Sequence, residues 1–222
     1  GILAGNYGTL WFGGNTGAMN ENVFKRIITG DYSFNIFNHW SVKEVIKMGL
    51  GGITLSPELT LSQMAEIAGK GSEDEAIACC ELEAVVYGRL TLMTSEYCPP
   101  GFIIGRQAGS SKCTGVCNKR CYRLKDIKGI EFPVLCDNIS CISRIINSEI
   151  LFVPEVLNKL ADNGINVFRL MVHEESAEDI SKIINIYRGF IENRNNPYKE
   201  FENEINEIKA TGFTKGHFIR GV

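Results

Sequence analysis

Six of the chain's eight cysteines, Cys98, Cys113, Cys117, Cys121, Cys136 and Cys141, fall in one short stretch. Thiols at that density can bridge in pairs, hold a metal, or pack as small apolar groups. Disulfide frameworks usually staple small secreted domains that cannot build a core. This chain has 222 residues and is 44% hydrophobic, enough for a core of its own. Concentration between Cys98 and Cys141 therefore favours a local metal site over disulfides or idle thiols. Cys113, Cys117 and Cys121 form a C-x3-C-x3-C run. Either neighbouring pair can put two thiolates on one side of a turn. Cys98 precedes Pro99-Pro100, which fix the chain locally. Cys141 or Cys136 can close a set of four. Zinc and an iron–sulfur cluster both accept four thiolates, and the lack of a C-x2-C knuckle leans away from zinc without deciding. Cys79 and Cys80 are adjacent, lie before a strand, and read as buried thiols.

The elements that must position these residues follow one rhythm: a short β-rich run, a polar turn, then a helix start. Ser33–Asn38 reads as a strand, followed by a capping box at Ser41 and Glu44. Val42, Val45, Ile46 and Met48 then give a helix its apolar face, and Gly49 stops it. Gly52–Leu55 repeats the strand, and Thr60 to Gln63 repeats the capping box. Leu82–Tyr87, Phe132–Leu135, Ile150–Val153 and Asn166–Val172 continue the series, with Pro133 arguing for an edge or a strand start. Helices are expected over Glu155–Asn163 and Ser176–Arg194, the latter with Ile180, Ile183, Ile184, Tyr187 and Ile191 on one face. Alternating strands and helices imply an α/β fold with a parallel sheet. No Gly-rich dinucleotide fingerprint appears, and Gly5–Gly8 and Gly13-Gly14-Asn15 read as turns. The expectation is one TIM-barrel-like (β/α) domain over residues 1–222, complete or incomplete, carrying the cysteine-rich insertion over residues 95–128.

In such a barrel, chemistry sits at the C-terminal ends of strands. Asn38, Glu58 and Arg89 each closely follow an expected strand. Arg89 could clamp a carboxylate or phosphate and Glu58 could be its partner or a general base, or the two could be a structural pair. Glu96, beside Cys98, could serve either role. His39 suits a helix entry, His173 ends a strand, and His217 lies near Lys215 and Arg220 in "TKGHF".

The formal net charge is -3, so no basic surplus advertises nucleic acid. A local patch of Lys112, Lys119, Arg120, Arg123 and Lys125 could face an anion or be a solvated face. No run approaches the roughly 20 apolar residues of a membrane helix. The start lacks both an initiator Met and a signal-peptide pattern, and reads as a fragment of a longer chain.

Longer phrases add to this. "GGITLSPELTLSQMAEIA", "VVYGRLTLMTSEYCPPG", "CTGVCNKRCYRLKDIKGIEFPVLCD", "IINSEIL" and "TKGHFIRGV" resemble the collagenase-like peptidase family U32, and in particular a C-terminal segment of its long clostridial-type members. The resemblance implies a TIM-barrel-like fold and a peptidase label. It also implies relatives that hydroxylate RNA or a small aromatic molecule without oxygen, using a four-iron four-sulfur cluster. Carried across, its cluster ligands would be Cys98, Cys113, Cys117 and Cys141, with Cys121 and Cys136 as extra cysteines and alternates. No Ser-His-Asp or Cys-His set and no H-E-x-x-H motif accompanies the peptidase label. The expectations are thus Glu58, Arg89 and His217 for catalysis, and Asn38 and Arg89 for substrate. A peptide, an RNA or a small molecule would be the substrate, the rest of the parent chain a partner, and the cytoplasm the location. A non-catalytic domain with a structural zinc is the remaining alternative.

Overall fold

The computed structural model describes residues 1–10, 28–72, 75–105, 113–192 and 197–220. The Gly13-Gly14-Asn15 turn, Lys112 and the end of the helix expected to reach Arg194 lie outside these residues. The chain divides into two compact units. One comprises Gly1–Gly88, Phe152–Glu207 and Lys215–Val222, the other Arg89–Leu151 and Ile208–Thr214. The cysteine-bearing unit is thus wider than the expected insertion, because the strands flanking the cysteines belong to it.

The first unit is built on a parallel sheet. Strands β1 (Ile2–Ala4), β2 (Ile28–Gly30), β3 (Gly52–Thr54) and β4 (Glu81–Gly88) pair in sequence order, and β10 (Val167–Leu170) also pairs with β4. All of β3 is buried, as are Leu82 and Ala84 to Gly88 of β4. Burial on both faces is what a helix-covered parallel sheet requires, and it explains the near-continuous apolar runs. Each fully buried aliphatic side chain contributes about 1.5–3 kcal/mol. Helices α1 (His39–Lys47), α2 (Leu61–Ser72) and α3 (Glu75–Ala78) connect these strands. They bury Val42, Val45, Met64, Ile67 and Ile77. Helices α4 (Leu157–Asp162) and α5 (Ala177–Glu192) precede and follow β10. The fold is therefore α/β with a parallel sheet, and among the described residues the sheet does not close into a barrel.

Local chemistry explains where sequence and structure part. The expected strand at Ser33–Asn38 is instead a 3-10 turn over Tyr32–Phe34 and a loop. The Asp31 carboxylate accepts from the Tyr32 N–H at 2.8 Å, and Asn35 adopts a left-handed φ of 56°. The N-cap of α1 is Asn38, not Ser41: its Oδ1 accepts from the Ser41 N–H at 2.9 Å. Glu44 pairs with Lys47 rather than reaching back. The second capping box forms as expected. Gln63 N–H donates to Thr60 Oγ1 (3.2 Å) and Thr60 N–H to Gln63 Oε1 (2.8 Å). On α5 the buried face is Ile183, Ile186, Tyr187 and Phe190, and Ile184 and Ile191 are exposed. Tyr187 sets that rotation: its hydroxyl donates to Val86 O at 2.6 Å and accepts from Val153 N–H at 3.3 Å.

The second unit holds an antiparallel sheet that the α/β rhythm did not announce. Its order is β5 (Thr91–Ser95), β8 (Ser143–Ile146), β7 (Glu131–Cys136), β6 (Tyr122–Lys125). Pro133 lies in the central strand β7, not at an edge. It faces Arg123 of β6, while β8 pairs only from Val134 onward, so no β8 ladder bond is lost. In the same unit Ile150 and Leu151 of β9 (Ile150–Phe152) pair in parallel with β11 (Phe213–Thr214).

Candidate metal centre

Three segments of the second unit bring the cysteines together. Cys98 ends the loop after β5 and starts a tight helical turn: its carbonyl accepts from the Phe102 N–H at 2.9 Å. A π-helix over Gly101–Gly105 follows. Single π turns are frequent at functional sites. The C-x3-C loop between Cys113 and Cys117 contains Gly115 at φ 67°, a conformation that favours glycine. Thr114 N–H ties the loop to Gly105 O (3.0 Å), and the Tyr122 hydroxyl donates to Val116 O (3.1 Å). The third segment is the turn from Asp137 to Ile142, closed by the Asp137 N–H to Ile142 O bond at 2.8 Å. The Asp137 side chain accepts from Ile139 N–H at 2.9 Å and from the Ser140 hydroxyl. These bonds hold its carboxyl below the usual carboxylate range. They also hold Cys141 at φ 58°, an unusual cost for a non-glycine residue.

Cys98, Cys113, Cys117 and Cys141 all line one cavity of about 370 Å³, together with Glu96, Tyr97, Gly101, Phe102, Gly115, Asp137 and Asn138. Cys121 and Cys136 are not among the lining residues. Glycine makes room for the sulfurs. A Cβ on Gly101 would lie 3.1 Å from Cys98 Sγ and 3.5 Å from Cys113 Sγ, and one on Gly105 would lie 2.8 Å from Cys113 Sγ. The cradle is thus shaped around thiols. Among the described residues no three His, Cys, Asp or Glu side chains draw close enough to share one metal ion. All eight cysteines are described, and all are free thiols. Cys136 packs beside the cavity, its Sγ 3.5 Å from Ser143 Oγ. Burial pushes its thiol up, and its neighbours Cys98 and Cys117 push the same way. Burial also pushes Cys80 up to about 12, with Glu81 adding to it. Cys79, expected to be buried, is exposed.

The remaining candidates are dispersed. Arg89 donates to the carbonyls of Asn147, at 3.1 Å, and Ser148, which places its guanidinium on its own unit's main chain. Glu58 belongs to the other unit, is exposed, and donates its N–H to Ser56 Oγ at 3.4 Å. Asn38 caps α1 and lines a small cavity of about 250 Å³ with His39, Gln63 and Glu66. His39 packs against Trp40, with centroids 4.7 Å apart. The His173 N–H donates to Glu175 Oε2 at 2.6 Å. His217 is half-buried beside Phe218, whose carbonyl accepts from Leu61 N–H at 3.0 Å, and Lys215 pairs with Glu155 at 2.8 Å. Lys119, Arg120, Arg123 and Lys125 are exposed.

One constellation escaped the sequence reading. Arg169 of β10 pairs with Asp31, at 2.5 Å, and with Glu83 of β4. It also donates to Thr54 Oγ1 at 2.8 Å, and the Thr54 hydroxyl donates to Glu83 Oε1 at 2.7 Å. The available signal was a charge set among apolar residues in each run, Glu83 in "LEAVVY" and Arg169 in "NVFRLMV".

A scan of family models matches the peptidase family U32 over residues 15–221. Comparison with curated proteins and with solved structures returned no significant match. With a family model covering most of its length, the chain belongs to peptidase family U32, the collagenase-like peptidases.

Proposed function

We propose that this chain is the cluster-bearing part of a collagenase-like peptidase-family protein, with Cys98, Cys113, Cys117 and Cys141 holding a four-iron four-sulfur cluster. The observation that carries this reading is the single cavity lined by those four thiols, with Gly101 and Gly105 leaving room for the sulfurs. Zinc draws four sulfurs to about 2.3 Å from one point, whereas a cluster lets them stand further apart. Metal and sulfide analysis separates the two. Eight free thiols accord with a reducing, cytoplasmic setting.

Such a cluster, when bound, would supply one-electron chemistry, its four irons each held by one of the four thiolates. The chain's own residues do the rest. Tyr97 and Phe102, with ring centroids 5.4 Å apart and both exposed, offer aromatic faces at the cavity, and the Asp137 turn holds Cys141 in place. Those aromatic faces suit stacking of a planar group, a small aromatic molecule or an RNA base, which is what supports the hydroxylase alternative as the second reading beside peptide hydrolysis. The parallel sheet is, in this account, part of a TIM-barrel-like domain. The test is anaerobic purification with iron, sulfide and zinc analysis. About four irons and four sulfides per chain support the reading; one zinc and no sulfide overturns it.

A further inference from the structure

We propose that the surface around the loop between Cys113 and Cys117 docks a second protein with an acidic face, a one-electron carrier. The carrier's role rests on the cluster reading above: one electron leaves the reduced carrier and enters the cluster, and no bond forms or breaks. Three pieces of the second unit meet at Val116 of that loop. Thr114 N–H bonds to Gly105 O at 3.0 Å, and a Cβ on Gly105 would lie 3.1 Å from Val116 Cγ2. The Lys119 N–H donates to Val116 O at 3.0 Å, and the Tyr122 hydroxyl, at the start of β6, donates to the same carbonyl at 3.1 Å. The Phe102-Ile103-Ile104 turn, the Lys119-Arg120 pair and the basic strand β6 are thereby held around one loop that carries two of the four thiols.

Charge and exposure decide the partner. From Tyr97 to Lys125 the sequence has six Lys or Arg and no Asp or Glu, in a chain whose formal net charge is -3. Lys119, Arg120, Arg123 and Lys125 of that run are exposed. Lys125 meets Glu131 at 3.6 Å, but that pair is itself exposed and neutralises little. The surplus positive charge faces solvent and attracts an anionic partner. Phe102, Ile103 and Ile104 are 53%, 75% and 60% exposed. Three consecutive apolar side chains in water mark a functional surface. An apolar centre beside a charged rim is the composition of a protein docking site, and electron-transfer partners use small versions of it. Single-stranded nucleic acid calls for rings between the cations. Here the ring between them, Tyr122, is half-buried with its hydroxyl on Val116 O, and the side chain between Arg123 and Lys125 is Leu124. A flat anionic bilayer would also meet the exposed Glu131 carboxylate, which a shaped protein face can avoid.

The experiment is calorimetry of the whole chain, with and without iron, against a strongly acidic two-iron two-sulfur ferredoxin. A basic cytochrome c, poly(U) and phosphatidylserine vesicles are the competing probes. The ferredoxin should bind saturably, and its affinity should fall at least about tenfold between about 50 and 300 mM salt. Lys119→Glu combined with Arg120→Glu should weaken it at least about tenfold. Arg120→Gln should act in the same direction and replaces the double variant should that not fold. Ile103→Ser should weaken binding without changing its salt dependence. Lys47→Glu, at an exposed pair in the other unit, should leave it unchanged. In the iron-loaded chain, reduced ferredoxin should pass its electron to the cluster at least about tenfold more slowly in the double variant at subsaturating ferredoxin. Absence of saturable binding, equal binding of the cytochrome, or undiminished binding in the folded double variant would overturn the proposal. So would tighter binding of poly(U) or of the vesicles that the same variant abolishes. An iron-free chain that still binds the ferredoxin speaks against the cluster alone, and an iron-loaded chain that does not bind speaks against the docking surface alone.

Discussion

A Cβ on Gly105 would lie 2.8 Å from the Cys113 sulfur and 3.1 Å from Val116 Cγ2, so the thiol occupies the space a side chain would need. Elsewhere in a helical turn, replacing glycine by alanine favours folding by up to about 1 kcal/mol. Here Gly105→Ala should push Cys113 out of the cavity. Iron and sulfide content should fall by more than half while the thermal midpoint stays within a few degrees. Full loading of the variant would show that Cys113 is not held where the cavity places it.

The Tyr122 hydroxyl holds the loop between Cys113 and Cys117 through Val116 O. Tyr122→Phe removes one hydrogen bond and little volume, a cost of about 0.5–1.5 kcal/mol. The loss should appear as faster release of iron to a chelator. An unchanged release rate would mean that the loop is fixed by other contacts.

Arg89 reads from the sequence as a substrate clamp, yet its guanidinium meets the carbonyls of Asn147 and Ser148. Arg89→Met should therefore lower stability in urea by about 1–3 kcal/mol through two carbonyls left unpaired. Substrate KM should not change once the variant is folded. A raised KM with unchanged stability would restore the clamp.

Cys80 offers a pH test. Burial raises its thiol from 9.0 to about 12. The folded chain keeps this proton while the unfolded chain loses it, so stability falls as pH rises from about 9 toward about 12. The slope from one such group is at most about 1.4 kcal/mol per pH unit. The difference between wild type and Cys80→Val in urea midpoint should shrink steadily across that window. A constant difference would place Cys80 in contact with solvent. Iodoacetamide at pH 8 should also label the exposed Cys79 well before Cys80.

How much of this was legible in the sequence depended on how local the deciding interaction was. The box at Thr60 and Gln63 closes within three residues, and both of its bonds form. The box at Ser41 failed because Asn38, three residues earlier, competes for the same N–H and wins. The α5 face rotated because Tyr187 answers to Val86 and Val153, groups far away in the chain. The four cysteines drawn from the family resemblance do share a cavity, although local spacing alone left Cys121 and Cys136 in contention. The Arg169 network was invisible for a related reason. A single charge in an apolar strand acquires meaning only when the register of four strands is known.

The proposed cluster would be held by Cys98, Cys113, Cys117 and Cys141 together. Its most direct test is anaerobic iron and sulfide content of the wild-type chain beside single alanine variants at those four positions and at Cys121 and Cys136. About four irons and four sulfides are expected in wild type, Cys121→Ala and Cys136→Ala, and sharp loss in the other four. Full iron in Cys117→Ala or Cys141→Ala, or its loss in Cys121→Ala, would contradict it.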